Sequence, residues 1–345
     1  RRGAHLLAAG CLDEAVPLLI SGARLCCNQA RFEQGLALVA QAQGALDELS
    51  APLDDHRRGL LAFAQLLIQA NTGLGEAMPQ ARSLAEVCRR NDWSELEART
   101  CGVVAHLGYR SGELGVARRY ALRGLAMQDD RGRRGQLLWS LHYTAMRRGD
   151  LDEAQDMLEA AYGTCDQDEP FERARYLNDR AELARRRGEI PAARRLYEQA
   201  LAIIEPLGER DSLVTALNLG LTLMLEGKLE RATELIERAT ERAEREFVLH
   251  HAIYGQPMRA WAAAARGDWD RFDRCLGRYE RMALVVTGSD PELAEILLRC
   301  HDLAREAGWT RRAHRARQLA ADTYARLGLH ELARQVEEGG TPSAS

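Results

Sequence analysis

Between residues 171 and 246, apolar and polar positions repeat with a helical period through two helix pairs of one design, 39 residues apart. The first reads FERARYLNDRAELARRRGEIPAARRLYEQALAIIE and the second DSLVTALNLGLTLMLEGKLERATELIERATERAERE. Aligning Gly188 with Gly227 superposes Ala193 on Ala232 and Ala200 on Ala239. An apolar residue, Ile190 or Leu229, follows each glycine by two. Each unit therefore predicts a helix, a tight turn at glycine, and a second helix. The small side chains let the two helices approach closely.

The same punctuation runs along most of the chain. Turn glycines at Gly73, Gly112, Gly149, Gly188, Gly227, Gly267 and Gly308 are separated by 39, 37, 39, 39, 40 and 41 residues. Residues 1–49 depart from this spacing, because turn signals at Gly10 and at Ala30-Arg31-Phe32 lie close together. The helix between them is expected to serve two successive hairpins. Residues 50–338 then form long repeats, opened by the break Ser50-Ala51-Pro52-Leu53-Asp54-Asp55 and closed by the capping segment LHELARQVEE. Residues 339–345 have the composition of a disordered tail. Asp290-Pro291-Glu292 predicts an N-cap with proline at the first helical position. Glu234 with Arg238, and Glu241 with Arg245, are spaced as i,i+4 pairs. Trp269 and Trp309 follow turns and are expected to staple neighbouring repeats. The expectation is an all-α array of about sixteen to eighteen helices with no sheet.

The pattern resembles the tetratricopeptide repeat (TPR), most closely in Asn218-Leu219-Gly220 before Gly227, followed by Ala232 and Ala239. The resemblance implies a right-handed superhelical α-solenoid of helix hairpins, with a concave face lined by the first helix of each pair. The period of about 40 residues exceeds the usual 34, and is similar to the sensor array of the maltose-regulon activator family. The opening stretch AHLLAAGCLDEAVPLLISGARLCCNQARFEQGLALVAQAQGAL resembles the start of the repeat region in bacterial signalling proteins. In those, a kinase, cyclase or DNA-binding domain is joined to a STAND-type ATPase and then to TPRs. The chain lacks an initiator Met and starts inside a helical pattern, so it reads as a piece of a longer protein. Walker A and kinase motifs are absent, so no such activity is carried over.

Composition narrows the function. With 46% hydrophobic residues there is ample core, and charges interrupt every apolar run before it could span a membrane. A formal charge of −4 argues against a general nucleic-acid binder. Lys228 is the only lysine, so nearly every cation is arginine, whose planar fork suits carboxylates and phosphates. The eight cysteines show no CxxC and no zinc-like Cys/His spacing, as expected of reduced core thiols in a cytoplasmic protein. The nine histidines include no HExxH, and there is no GxSxG. No catalytic residue, metal ligand or cofactor is expected.

The binding surface is projected from the turn glycines onto the first helices. It begins with His106, Tyr109 and Arg110, and continues through Trp139, Tyr143 and Arg147. Next come Arg175, Asn178, Arg185 and Arg186. The lining then turns apolar with Leu217, Leu221 and Met224, followed by Tyr254 and Trp261. Arg147, Arg185 and Arg186 would clamp acidic groups, with Trp139 and Tyr143 as anchors. The helix from Leu213 to Leu225 is apolar nearly all round, so both its faces should be covered, by superhelical closure, by a homodimer partner, or by ligand. The function expected is a non-catalytic sensor or scaffold for a protein or peptide segment, including the parent protein's own upstream domains. The alternatives are a free-standing TPR peptide receptor of quorum-sensing type and a helical-repeat enzyme.

Overall fold

The structure, a computed structural model, describes residues 2–72, 77–208, 211–286 and 290–340. Every regular element among them is helical. The chain packs as two compact units, Arg1–Thr164 and Cys165–Ser345. The first holds α1 (Arg2–Ala8), α2 (Leu12–Asn28), α3 (Phe32–Glu48), α4 (His56–Thr72), α5 (Ala77–Arg90), α6 (Ser94–Ser111), α7 (Leu114–Ala126), α8 (Arg131–Arg148) and α9 (Leu151–Tyr162). The second holds α10 (Pro170–Arg186), α11 (Ile190–Ile204), α12 (Asp211–Leu225), α13 (Leu229–Arg245), α14 (Leu249–Ala265), α15 (Trp269–Met282), α16 (Pro291–Glu306), α17 (Thr310–Arg326) and α18 (His330–Glu337). A 3-10 turn, Glu205–Leu207, extends α11.

One turn chemistry recurs in both units. Gly149 has φ +79°, and the Asp150 amide reaches back to the Ala145 carbonyl at 3.0 Å. Glu189 to Ala184, Lys228 to Leu223, Asp268 to Ala263 and Trp309 to Ala304 repeat that bond after Gly188, Gly227, Gly267 and Gly308. This closure satisfies carbonyls that the last helical turn leaves open, and it needs a left-handed residue. The turn expected at Gly73 lies outside the described residues. Four further turns use the same closure without glycine, at Ala30, Ser50, Asp92 and Phe247, all with φ between 52° and 56°. The tail is expected from Gly339. Gly339 has φ +88° and the Gly340 amide bonds Gln335, so both residues close α18. Residues 341–345 lie outside the described residues.

Within unit 1, α2, α4, α6 and α8 lie side by side and form one face; within unit 2, α10, α12, α14 and α16 do the same. The odd-numbered helices pack behind them. Ala193, Ala200, Ala232 and Ala239 sit buried at these crossings, as the sequence alignment requires. A Cβ at Gly220 would lie 2.5 Å from Ile236, so only glycine allows α12 and α13 this separation. All of Ser212–Met224 except Val214 is buried in α12. Unit 2 itself covers that helix, with Met258, Ala262 and Ile296 joining its leucines in one core. A second copy of the chain is therefore not needed to cover it.

Surface ion pairing differs from the sequence expectation. Arg238 reaches Glu205 at 2.6 Å rather than Glu234, and Glu241 forms no pair with Arg245. A partner beyond the end of α11 can be met head-on, whereas an i,i+4 pair must bend along the helix surface. Trp269 and Trp309 do staple neighbouring hairpins, with ring centroids 5.9 Å apart and the Arg312 guanidinium 4.3 Å from the Trp309 ring.

Candidate functional site

In unit 1, Trp139, Tyr143 and Arg147 follow each other at intervals of four on α8 and so form one stripe. Tyr109, in the last turn of α6, faces it. Tyr143 stacks on Trp139 at 6.2 Å and meets Tyr109 at 6.4 Å. The Arg147 guanidinium lies 5.0 Å from the Tyr109 ring and donates to the Tyr109 carbonyl at 2.6 Å. Trp139 is buried beneath this stripe, and Tyr109, Tyr143 and Arg147 are half-buried. Behind them His142 bonds the Ala154 carbonyl at 2.8 Å and fixes the rear of the Tyr143 ring. His106 and Arg110 are exposed. Partial desolvation of the ring by its neighbours, then the Arg110 charge, pushes the His106 pKa below its ordinary value. Tyr109, Trp139, Tyr143 and Arg147 thus meet, with Trp139 beneath the surface, while Arg110 donates to the Ala70 carbonyl on α4 at 3.3 Å.

In unit 2 the projected residues have other work. Arg185 is buried and bonds Glu182 on its own helix and Glu292 in the first turn of α16. Arg186 meets the other Glu182 oxygen at 2.9 Å, and the Tyr197 hydroxyl donates to Glu182 at 2.8 Å. The Tyr254 hydroxyl donates to Glu292. Burial alone would push the Glu182 carboxyl up; the Arg185 and Arg186 charges outweigh it and hold it down to about 2. Burial, reinforced by Glu292, raises Asp290, and Glu295 is raised in the same way although its side chain is open to water. Internal carboxylates already occupy the Arg185 guanidinium, which takes it out of the expected clamp on an acidic ligand, while Arg186 is exposed and meets Glu182 through Nε alone. Leu217, Leu221 and Met224 are core, not lining, because α12 is enclosed. Tyr254 and Trp261 pack against the same core while staying half-buried. Arg175 and Asn178 lie half-buried on α10, where Asn178 donates to Asp179 at 3.0 Å.

The sequence reading missed Glu292, whose only visible signal was its place after Asp290-Pro291 in a cap. It also missed a cleft of about 490 Å³ between α4 and α5, floored by Leu66 and Leu84 and walled by Trp93. Among the described residues no group of three or more His, Cys, Asp or Glu is arranged to hold a metal ion, and no helix is long and apolar enough to cross a membrane.

Comparison with known proteins agrees with this hairpin architecture. Residues 133–205 match the tetratricopeptide repeat family model. The sequence matches none of the curated proteins compared with it. Among solved structures, a Rap protein complexed with competence and sporulation factor superposes with a TM-score of 0.62 at 13% identity, over 92% of this chain and 99% of that one. The apo form of RapI gives 0.60 at 11% identity, over 82% and 100%. The Rap conjugation gene regulator of plasmid pLS20, in complex with the Phr* peptide, gives 0.59 at 13% identity, over 91% and 98%. At these identities the likeness concerns the fold alone. The chain is an all-helical solenoid of hairpins that carries a TPR-like repeat region.

Proposed function

We propose that this chain is a non-catalytic recognition module that binds a peptide or an extended protein segment on the first-helix face of unit 1. The observation that carries the reading is the stripe of Tyr109, Tyr143 and Arg147 over buried Trp139. Two part-exposed aromatic rings on adjacent helices, braced from behind and flanked by arginine, make a rigid amphipathic surface that loses little entropy on binding. Two of the similar solved folds are complexes with a peptide or a signalling factor, which supports the same direction.

Two settings fit such a module. In one it senses a segment and controls an ATPase, kinase or other effector to which it is joined. In the other it is a free-standing receptor of quorum-sensing type. Both need the same surface. The test is peptide display against the full chain, followed by affinity measurement on Tyr143→Ala and Tyr109→Ala. Loss of binding by tenfold or more in folded variants is expected. Wild-type affinity in both would place the partner surface elsewhere.

A further inference from the structure

Arg24, Arg99 and Arg133 cross the first-helix face of unit 1 on a diagonal. They stand near the end of α2, in the first third of α6 and in the first turn of α8. Helix α4 lies between α2 and α6 and supplies Phe63, which is buried. The Arg99 guanidinium sits 4.5 Å from the centre of that ring. Arg133 is held by Glu95 at 2.6 Å. Arg24 and Arg99 are half-buried, yet among the described residues neither makes a hydrogen bond or meets a carboxylate. Other part-buried arginines of this chain are answered: Arg57 by Asp13 and Asp55, Arg123 by Glu86 and Glu97, Arg185 by Glu182 and Glu292. Desolvation, then the Arg24 and Arg133 charges, lowers the Arg99 pKa to about 10, and the Glu95 carboxylate only partly offsets them.

A guanidinium stacked on a ring keeps its N–H edge available, and that edge matches a carboxylate in two-point geometry. We infer that Arg99, seated over the Phe63 ring, forms with Arg24 of α2 an oxyanion subsite that takes a carboxylate of the bound peptide. The identity of the ligand as a peptide rests on the function proposed above; the anion site itself does not. Phe63 fixes the Arg99 plane, Arg24 supplies the second charge, and the Glu95–Arg133 pair bounds the site on the α8 side.

The experiment has two arms on the full chain. Thermal melts compare glutarate with sodium chloride at equal ionic strength. Glutarate should raise the melting temperature of the wild type by about 2–4 °C, and not that of Arg99→Gln. Arg299→Gln, which removes an exposed arginine of unit 2, should respond as wild type does. No shift, or equal shifts in wild type and Arg99→Gln, would overturn the site. Fluorescence anisotropy then compares labelled Ala-Leu-Glu-Glu-Leu-Ala with its Gln-Gln counterpart. The acidic peptide should bind at least about tenfold more tightly, and Arg24→Gln or Arg99→Gln should remove the difference. Equal binding of both peptides through Tyr143 would overturn the inference and leave the peptide reading standing. An Arg99-dependent glutarate shift with no peptide bound would do the reverse. An Arg99-dependent shift with inorganic phosphate at lower concentration than glutarate would replace the carboxylate assignment by a phosphate site.

Discussion

Removing Arg185 tests whether the buried ion network is the closure of unit 2. Its side chain is 6% exposed and that of Glu292 is 7% exposed, and the two stand 107 positions apart in the chain. Arg185→Met strands two carboxylates, Glu182 and Glu292, with only Arg186, Tyr197 and Tyr254 to answer them. Breaking a buried pair from one side costs about 3–5 kcal/mol. Glu292→Gln is milder, because Arg185 keeps Glu182 and the amide oxygen still accepts; about 1–2 kcal/mol is expected. The double variant should cost less than the sum of the two by about 1–3 kcal/mol. Urea unfolding followed by tryptophan fluorescence is suited to the measurement, since Trp261, Trp269 and Trp309 belong to unit 2. Circular dichroism on the same samples checks that one transition is being read, as repeat arrays can lose cooperativity. A cost below about 1 kcal/mol for Arg185→Met, or strict additivity of the two substitutions, would refute the closure.

Acid unfolding should contain a component from Glu182. Its folded pKa of about 2 lies below the ordinary value of 4.5, so the stability it confers is complete above that value and is lost as pH falls toward 2. Glu182→Gln should flatten that part of a stability–pH curve, by about 3 kcal/mol at most. Asp290 and Glu295, raised rather than lowered, act in the opposite sense and favour the folded state in acid. At the turns, Gly227→Val should destabilise by about 1–2 kcal/mol in chemical denaturation, because φ is +74° there. Phe247→Gly, at φ 56° and largely exposed, should stabilise by about 0.5–1 kcal/mol; the same denaturation curves decide both signs. Ala232→Leu should cost about 1–3 kcal/mol by overpacking, and unchanged stability would mean the crossing can open.

Much of the fold was legible because one local rule is used again and again. A glycine with positive φ, an amide reaching back five residues, and small side chains at the following crossing all leave marks in sequence. The turns at Asp92 and Phe247 show where that legibility stops. Their hydrogen bonds match those at the glycines, but no glycine marks the position; the closing amide-to-carbonyl bond holds an exposed residue left-handed. Leu213 to Leu225 was readable as a helix needing cover on every side. What covers it was not, since Met258 and Ile296 arrive from hairpins that only the three-dimensional course brings back.

The candidate site divides along the same line. Projection from the glycines brought Tyr109, Tyr143 and Arg147 together correctly, because neighbouring first helices keep a fixed register. It did not foresee the role of Arg185, because its partner Glu292 lies far along the chain and looks like a helix cap. An arginine in sequence is only a cation; whether it can serve a ligand depends on whether the fold has already supplied its anion. In this chain the fold supplies one to Arg185 and withholds one from Arg24 and Arg99. Arg185, which looked like part of a clamp, therefore holds the scaffold, and two residues that attracted no notice carry the open charge. A desolvated cation without a partner is costly in a free-standing fold. Arg99 and Tyr109 stand ten residues apart on α6, about 15 Å along the helix, so an extended acidic peptide with apolar side chains is the kind of ligand that would meet both the arginine subsite and the tyrosine surface proposed above.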